Sequence, residues 1–335
     1  MGVVARLTQL LAASAILIAA APSMAAESND FHIGRQPGLV YIQAIIMEEK
    51  KLVEKHAAAL GLPDIKVKYS IITSGGVMTE AILSNSIDIA ITGVSNMLLA
   101  WGKTNGSIKS VAGMAGVPFK LLTRNPNVKS IKDFGPDDRI AVPTIRASMQ
   151  AMMMGIALEQ AYGIGQHGRL DSNQVQLGHP DAMNSILNPQ HEINSHFSIP
   201  PYQDIALKSP LIHMVVNSAD VLGGPASITN CWGTQRFVDA SPLKVKAFIA
   251  ALDEASDMVA KEPKLSAELY LAVTKEKLSV DELVAIIKQP GAVFSTVPVR
   301  SMLWADYMYR IGMIKQKPAS WKDYTFPNIH DRDGS

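Results

Sequence analysis

The sequence predicts an α/β protein of two lobes joined by a two-segment hinge. Three observations carry this. From residue 31 onward short β-rich runs alternate with helical stretches, the pattern of α/β units with largely parallel sheets. The strand-helix order of residues 31–114 is repeated over 139–199. A chain of 335 residues that is 47% hydrophobic also exceeds what one core ordinarily supports.

In the first unit, residues 31–36 read as a strand. Residues 38–60 read as a helix that carries Leu39, Ile42, Ile45, Ile46, Leu52, Val53 and Ala57 on one side and stops at Gly61 and Pro63. Strands are expected at 65–72, 87–92 and 108–114, with helices at 77–85 and 95–101 between them. Residues 125–138, which hold Pro126, Gly135 and Pro136 and few apolar residues, read as the turn-rich opening of the second lobe. There strands at 139–142, 174–177 and 193–199 alternate with helices at 148–162 and 181–187.

Residues 211–217 read as a strand that leaves the second lobe. The helices expected at 242–261, 264–274, 280–289 and 298–314 need a sheet to cover, and the first lobe is the larger candidate. The expected division is 26–120 with 213–335 for the first lobe and 121–212 for the second. The chain then crosses near 120 and near 212, and two crossing segments form a hinge on which domains can close.

Residues 1–25 read as a secretory leader. Arg6 precedes an uncharged apolar run, 10–21, too short to span a bilayer, and Ser23-Met24-Ala25 supplies small residues for cleavage, which fits after Ala26 as well. Pro22 would break a buried helix continuing from this run. No later stretch is apolar and unbroken for the ~18 residues a membrane helix needs, so a soluble, periplasmic, monomeric chain is expected. Cys231 is the only cysteine, which leaves no internal disulfide and no lipid-bearing cysteine at the cleavage site. With 31 basic and 30 acidic residues, the chain has no charge imbalance to attract nucleic acid or an anionic membrane.

Small polar residues gather at three strand-to-helix junctions: Thr73-Ser74-Gly75-Gly76 and Thr92-Gly93-Val94-Ser95 in the first lobe, Thr144-Ile145-Arg146-Ala147-Ser148 in the second. In open α/β sheets, ligands sit at the carboxyl ends of strands, where helix N-termini offer free N–H groups and partial positive charge. At any one junction Ser or Thr serves equally well as a plain helix cap. Three in two lobes favour a shared anion-accepting cleft. Arg35 and Arg146 are the basic residues beside these strand ends, Arg146 the better placed to pair with a carboxylate or sulfonate. Asp181 reads as a helix cap, while His179 and His196 read as cleft residues. Among Met149, Met152, Met153 and Met154, packing is the ordinary role, and Met149 differs by sitting in the first turn facing the cleft.

Other motifs argue against chemistry. His191 and His196 are five apart and do not share a helical face, which removes the zinc reading. Gly163-Ile164-Gly165-Gln166-His167-Gly168 has dinucleotide-loop lettering but follows a helix, so it is a turn. There is no phosphate-binding loop with a terminal lysine, no nucleophile-elbow serine and no carboxylate pair at fixed spacing. No cofactor, metal or catalytic group is expected.

Several motifs in order resemble the periplasmic substrate-binding proteins of nitrate, sulfonate and taurine ABC importers, a group related to thiamine-pyrimidine synthesis proteins. They are Thr73-Ser74-Gly75-Gly76, the run from Ala81 to Ala90, Ile140-Ala141-Val142-Pro143, and His196-Phe197-Ser198-Ile199-Pro200-Pro201-Tyr202, within a similarity over roughly 30–325. The resemblance implies a type II periplasmic-binding-protein fold with a small-molecule ligand held between the lobes and an ABC permease with its ATPase as partners. On it, the expected ligand-binding set is Gly38, Ser74, Gly75, Gly76, Thr92, Gly93, Thr144, Arg146, Ser148, Met149, His179 and His196. Relatives commonly place Gly-Ser or Gly-Thr where Arg146-Ala147-Ser148 stands, and arginine there favours a carboxylate or sulfonate. The alternatives are a pyrimidine-precursor binder or enzyme of the same superfamily, or a receptor signalling to a membrane partner.

Overall fold

The computed structural model describes residues 29–335, and the leader expected over 1–25 lies outside the described residues. β1 (Asp30–Arg35) buries Phe31 and Ile33 completely and runs through a 3-10 turn into α1 (Ile42–Glu49). The single helix expected over 38–60 is two. Lys51 adopts φ 50°, and α2 (Leu52–Ala59) starts after it. The break lets each half turn its own apolar side onto the C-terminal helices. β2 (Lys66–Ile71), α3 (Gly75–Leu83), β3 (Ile89–Gly93), α4 (Val94–Lys103) and β4 (Ile108–Gly116) follow as the hydrophobic periods dictate.

The second unit comprises β5 (Lys120–Thr123), β6 (Ile140–Val142), α5 (Met149–Tyr162), β7 (Gln174–Gln176), α6 (His179–Leu187), β8 (Ser195–Ser198), α7 (Tyr202–Ala206) and β9 (His213–Asn217). A return segment holds α8 (Ser218–Leu222) and leads to β10 (Thr229–Thr234). Then come α9 (Gln235–Ala240), α10 (Pro242–Lys261), α11 (Pro263–Thr274), α12 (Val280–Ile287), β11 (Val293–Phe294) and α13 (Met302–Arg310).

The strands form two sheets, ordered β11-β4-β10-β3-β1-β2 and β7-β6-β8-β5-β9. Both are mixed, which corrects the expectation of largely parallel sheets. β1 runs parallel to β2 and β3, but β10 lies antiparallel between β3 and β4. In the second sheet β6 is parallel to β7 and β8, whereas β5 is antiparallel to β8 and β9. β10 and β5, the strands that follow a crossing, are antiparallel to their neighbours, and so is the short edge strand β11 against β4.

β9 is also a correction, since it forms the edge of the second sheet instead of leaving it. The return crossing therefore follows Asn217 instead of lying near 212. The crossing segments are tied to each other: Phe119 N–H donates to Ser218 Oγ at 2.8 Å, and Ser218 N–H donates to the Phe119 carbonyl at 2.9 Å. After the return, α10 packs on α1 and α2, and α13 on α4, so the C-terminal helices cover the first sheet. Their buried Phe248, Leu252, Tyr270 and Trp304 complete its core, each large apolar side chain contributing ~1.5–3 kcal/mol.

Candidate functional site

Four helices aim their N-termini at one cavity between the sheets. α3 and α4 follow β2 and β3 of the first sheet, and α5 and α6 follow β6 and β7 of the second. Gly93 and Gly178, the residues before α4 and α6, have no side chain to cap them, and Ser74 makes no side-chain cap for α3. Only Ser148 turns its hydroxyl back, accepting from Ala151 N–H at 3.3 Å. The positive ends of the four helix dipoles thus face the space between, although in α4 the Val94 N–H already donates to the Ile228 carbonyl and the Ser95 N–H to Met149 Sδ.

The first lobe lines the cavity with Gln36, Tyr41, Gly75, Gly93 and Asn96. The second contributes Thr144, Ser148, Met149, Gln150 and His179. The free volume between the lobes is about 20 Å³, room for roughly one water. The lobes are closed on each other. Ser95 Oγ donates to the Ala147 carbonyl at 2.6 Å, Gln176 Nε2 donates to Ser74 Oγ at 3.3 Å, and Met149 Sδ lies 3.3 Å from Ser95 N.

Donors and acceptors in the wall are neutral, and no Lys or Arg side chain lines the space. Gln36 is fixed by three bonds: it accepts from Tyr41 Oη at 3.0 Å and Thr92 Oγ1 at 2.5 Å, and donates to the Thr73 carbonyl at 2.9 Å. Thr144 Oγ1 is buried with no hydrogen-bond partner among the described residues. A buried hydroxyl without a partner is uncommon and calls for one. His179 is held neutral, its imidazole pushed down to about 3 by burial.

Of the residues expected from the sequence, Gly75, Gly93, Thr144, Ser148, Met149 and His179 meet at this cavity. Ser74 bridges the lobes beside it, and Thr92 and His196 stand behind Gln36 and His179. Gly38, at φ 130°, lets the backbone pass the Ile199 side chain: a Cβ there would lie 2.6 Å from Ile199 Cδ1. Gly38 thus serves lobe contact and Gly76 borders no part of the cavity.

Arg146 is corrected. It adopts φ 57°, its backbone N–H donates to Gln174 Oε1 at 2.8 Å, and its 67% exposed side chain reaches Asp171 at 2.9 Å, outside the cleft. Arg35 is buried against Glu48 at 3.4 Å and does not line the cavity either. Gln36, Asn96 and Gln150 escaped the sequence reading. The available signal was an amide side chain at a strand end or in a helix's first turn, just after a junction already marked by Gly, Ser or Thr.

Among the described residues no group of three or more His, Cys, Asp or Glu side chains is placed to hold a metal. The Cys231 thiol is buried, which pushes its ionisation upward, away from a reactive thiolate. No helix of the described residues is long and apolar enough to cross a membrane.

This is the periplasmic-binding-protein fold: two α/β lobes, two crossing segments and a cavity at the facing strand ends. The chain is similar to the alkanesulfonate-binding protein from Xanthomonas axonopodis pv. citri bound to MOPS, with a TM-score of 0.71, 16% identity, and 90% of this chain and 99% of that one covered. The periplasmic aliphatic sulphonate binding protein from Escherichia coli follows at TM-score 0.64 and 18% identity over 89% and 92%. The periplasmic nitrate-binding protein from Synechocystis PCC 6803 gives 0.62 and 14% over 89% and 84%. No family model and no curated relative matches the sequence.

Proposed function

We propose that this chain is the solute-binding component of an ABC importer, exported by its N-terminal leader to the periplasm. There it captures a small organic anion between its lobes and delivers it to a permease with its ATPase. The observation that carries this reading is the convergence of four helix N-termini, two from each sheet, on a cavity walled by neutral donors. Such a wall suits an oxyanion, whose charge is met by N–H groups and dipoles without a paired cation. A sulfonate, taurine-like molecule or aromatic carboxylate fits this chemistry, and structural neighbours that bind sulfonates or nitrate support the choice. Because ligand contacts come from both lobes, closure around the ligand is the signal a membrane partner reads, and no reaction is needed.

The test is a thermal-shift screen of the mature protein against alkanesulfonates, taurine, nitrate, benzoate-type and phthalate-type acids, and pyrimidines. A ligand at a hundred times its dissociation constant stabilises the native state by about 2.7 kcal/mol. A shift with one class of anion is the expected result. Shifts with neutral compounds alone overturn the anion reading, and turnover of any of them overturns the binding-protein reading.

A further inference from the structure

The back of the cavity holds two histidines in contact. His179 Nδ1 lies 2.8 Å from His196 Nε2, and both rings are buried. Burial disfavours the charged form of each. A single proton therefore lies between the two nitrogens, and the ring that owns it decides what His179 shows the ligand.

Two arrangements are open to a neutral pair. If His179 carries the proton on Nδ1, His196 accepts at Nε2 and must hold its own hydrogen on Nδ1. That Nδ1 is buried and has no hydrogen-bond partner among the described residues, so the arrangement leaves an orphan N–H in the interior. If instead His196 donates from Nε2, its Nδ1 is a bare acceptor and His179 carries its hydrogen on Nε2. Buried orphan donors are rarer than under-satisfied acceptors, which favours the second arrangement. His179 Nε2 then points at Gln150, 3.4 Å away, and both residues line the cavity. The two ends of the Gln150 amide interchange without steric change, so its oxygen can receive that N–H while the site is empty. Tyr202 stacks on the imidazole with ring centroids 6.2 Å apart and planes at 13°, which keeps the ring oriented.

We infer that His196 is a positioning residue that locks His179 as the Nε2–H tautomer, so that the cavity shows its ligand a neutral N–H donor. The site thereby selects ligand groups that only accept hydrogen bonds, the oxygens of a sulfonate or carboxylate, over groups that donate. This rests on the reading of the cavity as an anion site.

Ring ¹⁵N chemical shifts of the full mature protein without ligand, assigned with His179→Gln and His196→Gln, read the tautomers directly. Both rings are expected with hydrogen on Nε2 and a bare Nδ1. A protonated Nδ1 on His179, or an imidazolium on either ring, overturns the inference. Titration with methanesulfonate gives a second reading: His196→Leu is expected to bind about tenfold more weakly than wild type, and His196→Gln, which retains a donor, closer to it. Equal affinity in all three overturns the coupling. If the tautomers are as expected and methanesulfonate and the other anions do not bind, the histidine assignment stands and the anion reading falls.

Discussion

Arg310 on α13 grips Glu159 on α5 with both guanidinium nitrogens, at 2.9 and 2.5 Å, tying the C-terminal helices to the second lobe far along α5 from the cavity. Glu159 is nearly buried, at 6% exposure of its side chain, while Arg310 is 43% exposed. The guanidinium holds the carboxyl below its ordinary range. Arg310→Ala is expected to cost about 1–2 kcal/mol, a charged hydrogen bond discounted for the exposed partner. Because the pair spans the lobes, the variant should also be more open in small-angle X-ray scattering without ligand. Unchanged scattering and unchanged melting would show that the pair holds nothing.

Thr144 offers a clean separation of binding from folding. Its hydroxyl has no partner to lose, so Thr144→Val is expected to leave melting unchanged or slightly raised while anion affinity falls by about tenfold, or ~1.4 kcal/mol. Calorimetric titration beside a melting curve checks both halves. Parallel loss of stability and affinity would place the hydroxyl in packing only.

At Gly75 a methyl group would lie 2.5 Å from Asn96 Nδ2. Gly75→Ala is thus expected to push the Asn96 amide across the cavity and reduce ligand affinity at least about tenfold, with little change in stability because alanine suits the first turn of a helix. Wild-type affinity in this variant would mean that Asn96 has room to retreat and takes no part in binding.

Acid should destabilise the protein. The unfolded chain protonates His179 near its ordinary value of 6.5, the native chain only at about 3, and burial depresses His196 in the same direction. Between those values the unfolded state binds more protons, so stability is full above 6.5 and declines as pH falls. Asp204, raised to about 6 chiefly by burial with Lys120 at 4.0 Å opposing, acts in the other sense between 3.8 and 6, where the native state binds more protons. The balance is a loss of stability from pH 7 to pH 5, two buried histidines outweighing one carboxylate. Urea unfolding at the two pH values measures it, and the slope should flatten in a His179→Gln/His196→Gln double variant.

Arg146→Ala is expected to leave anion affinity within about twofold of wild type. Its ion pair with Asp171 is exposed and contributes ~0–1 kcal/mol of stability at most. A marked loss of affinity would bring the arginine back to the ligand.

The two-lobed architecture was legible because hydrophobic periods and turn residues are local signals: Gly61 and Pro63 end a helix, and Ser148 caps one. β10 was not legible. Thr229-Asn230-Cys231-Trp232-Gly233-Thr234 carries no alternation, since both faces of a central strand are covered, and its partners β3 and β4 lie more than a hundred residues earlier. β5 was lost for a related reason, being a four-residue strand at a crossing. At the site, the junctions could be read from their Gly, Ser and Thr content, but a side chain's direction could not. Arg146 turns outward because its left-handed backbone and the Gln174 and Asp171 contacts aim it there, and nothing in the spacing of residues encodes that.

The position of β10 has a consequence for how the molecule comes into being. β3 and β4 are each hydrogen-bonded to β10 and not to each other, so a nascent chain shorter than about 234 residues has a gap at the centre of its first sheet and two bare strand edges around it. The second sheet has all its strands by Asn217. The lobe that is later in the sequence is thus the earlier to have every strand in place: β1, β2 and β3 pair among themselves, but the outer edge of β3 and the strand β4 wait for a segment made long after them.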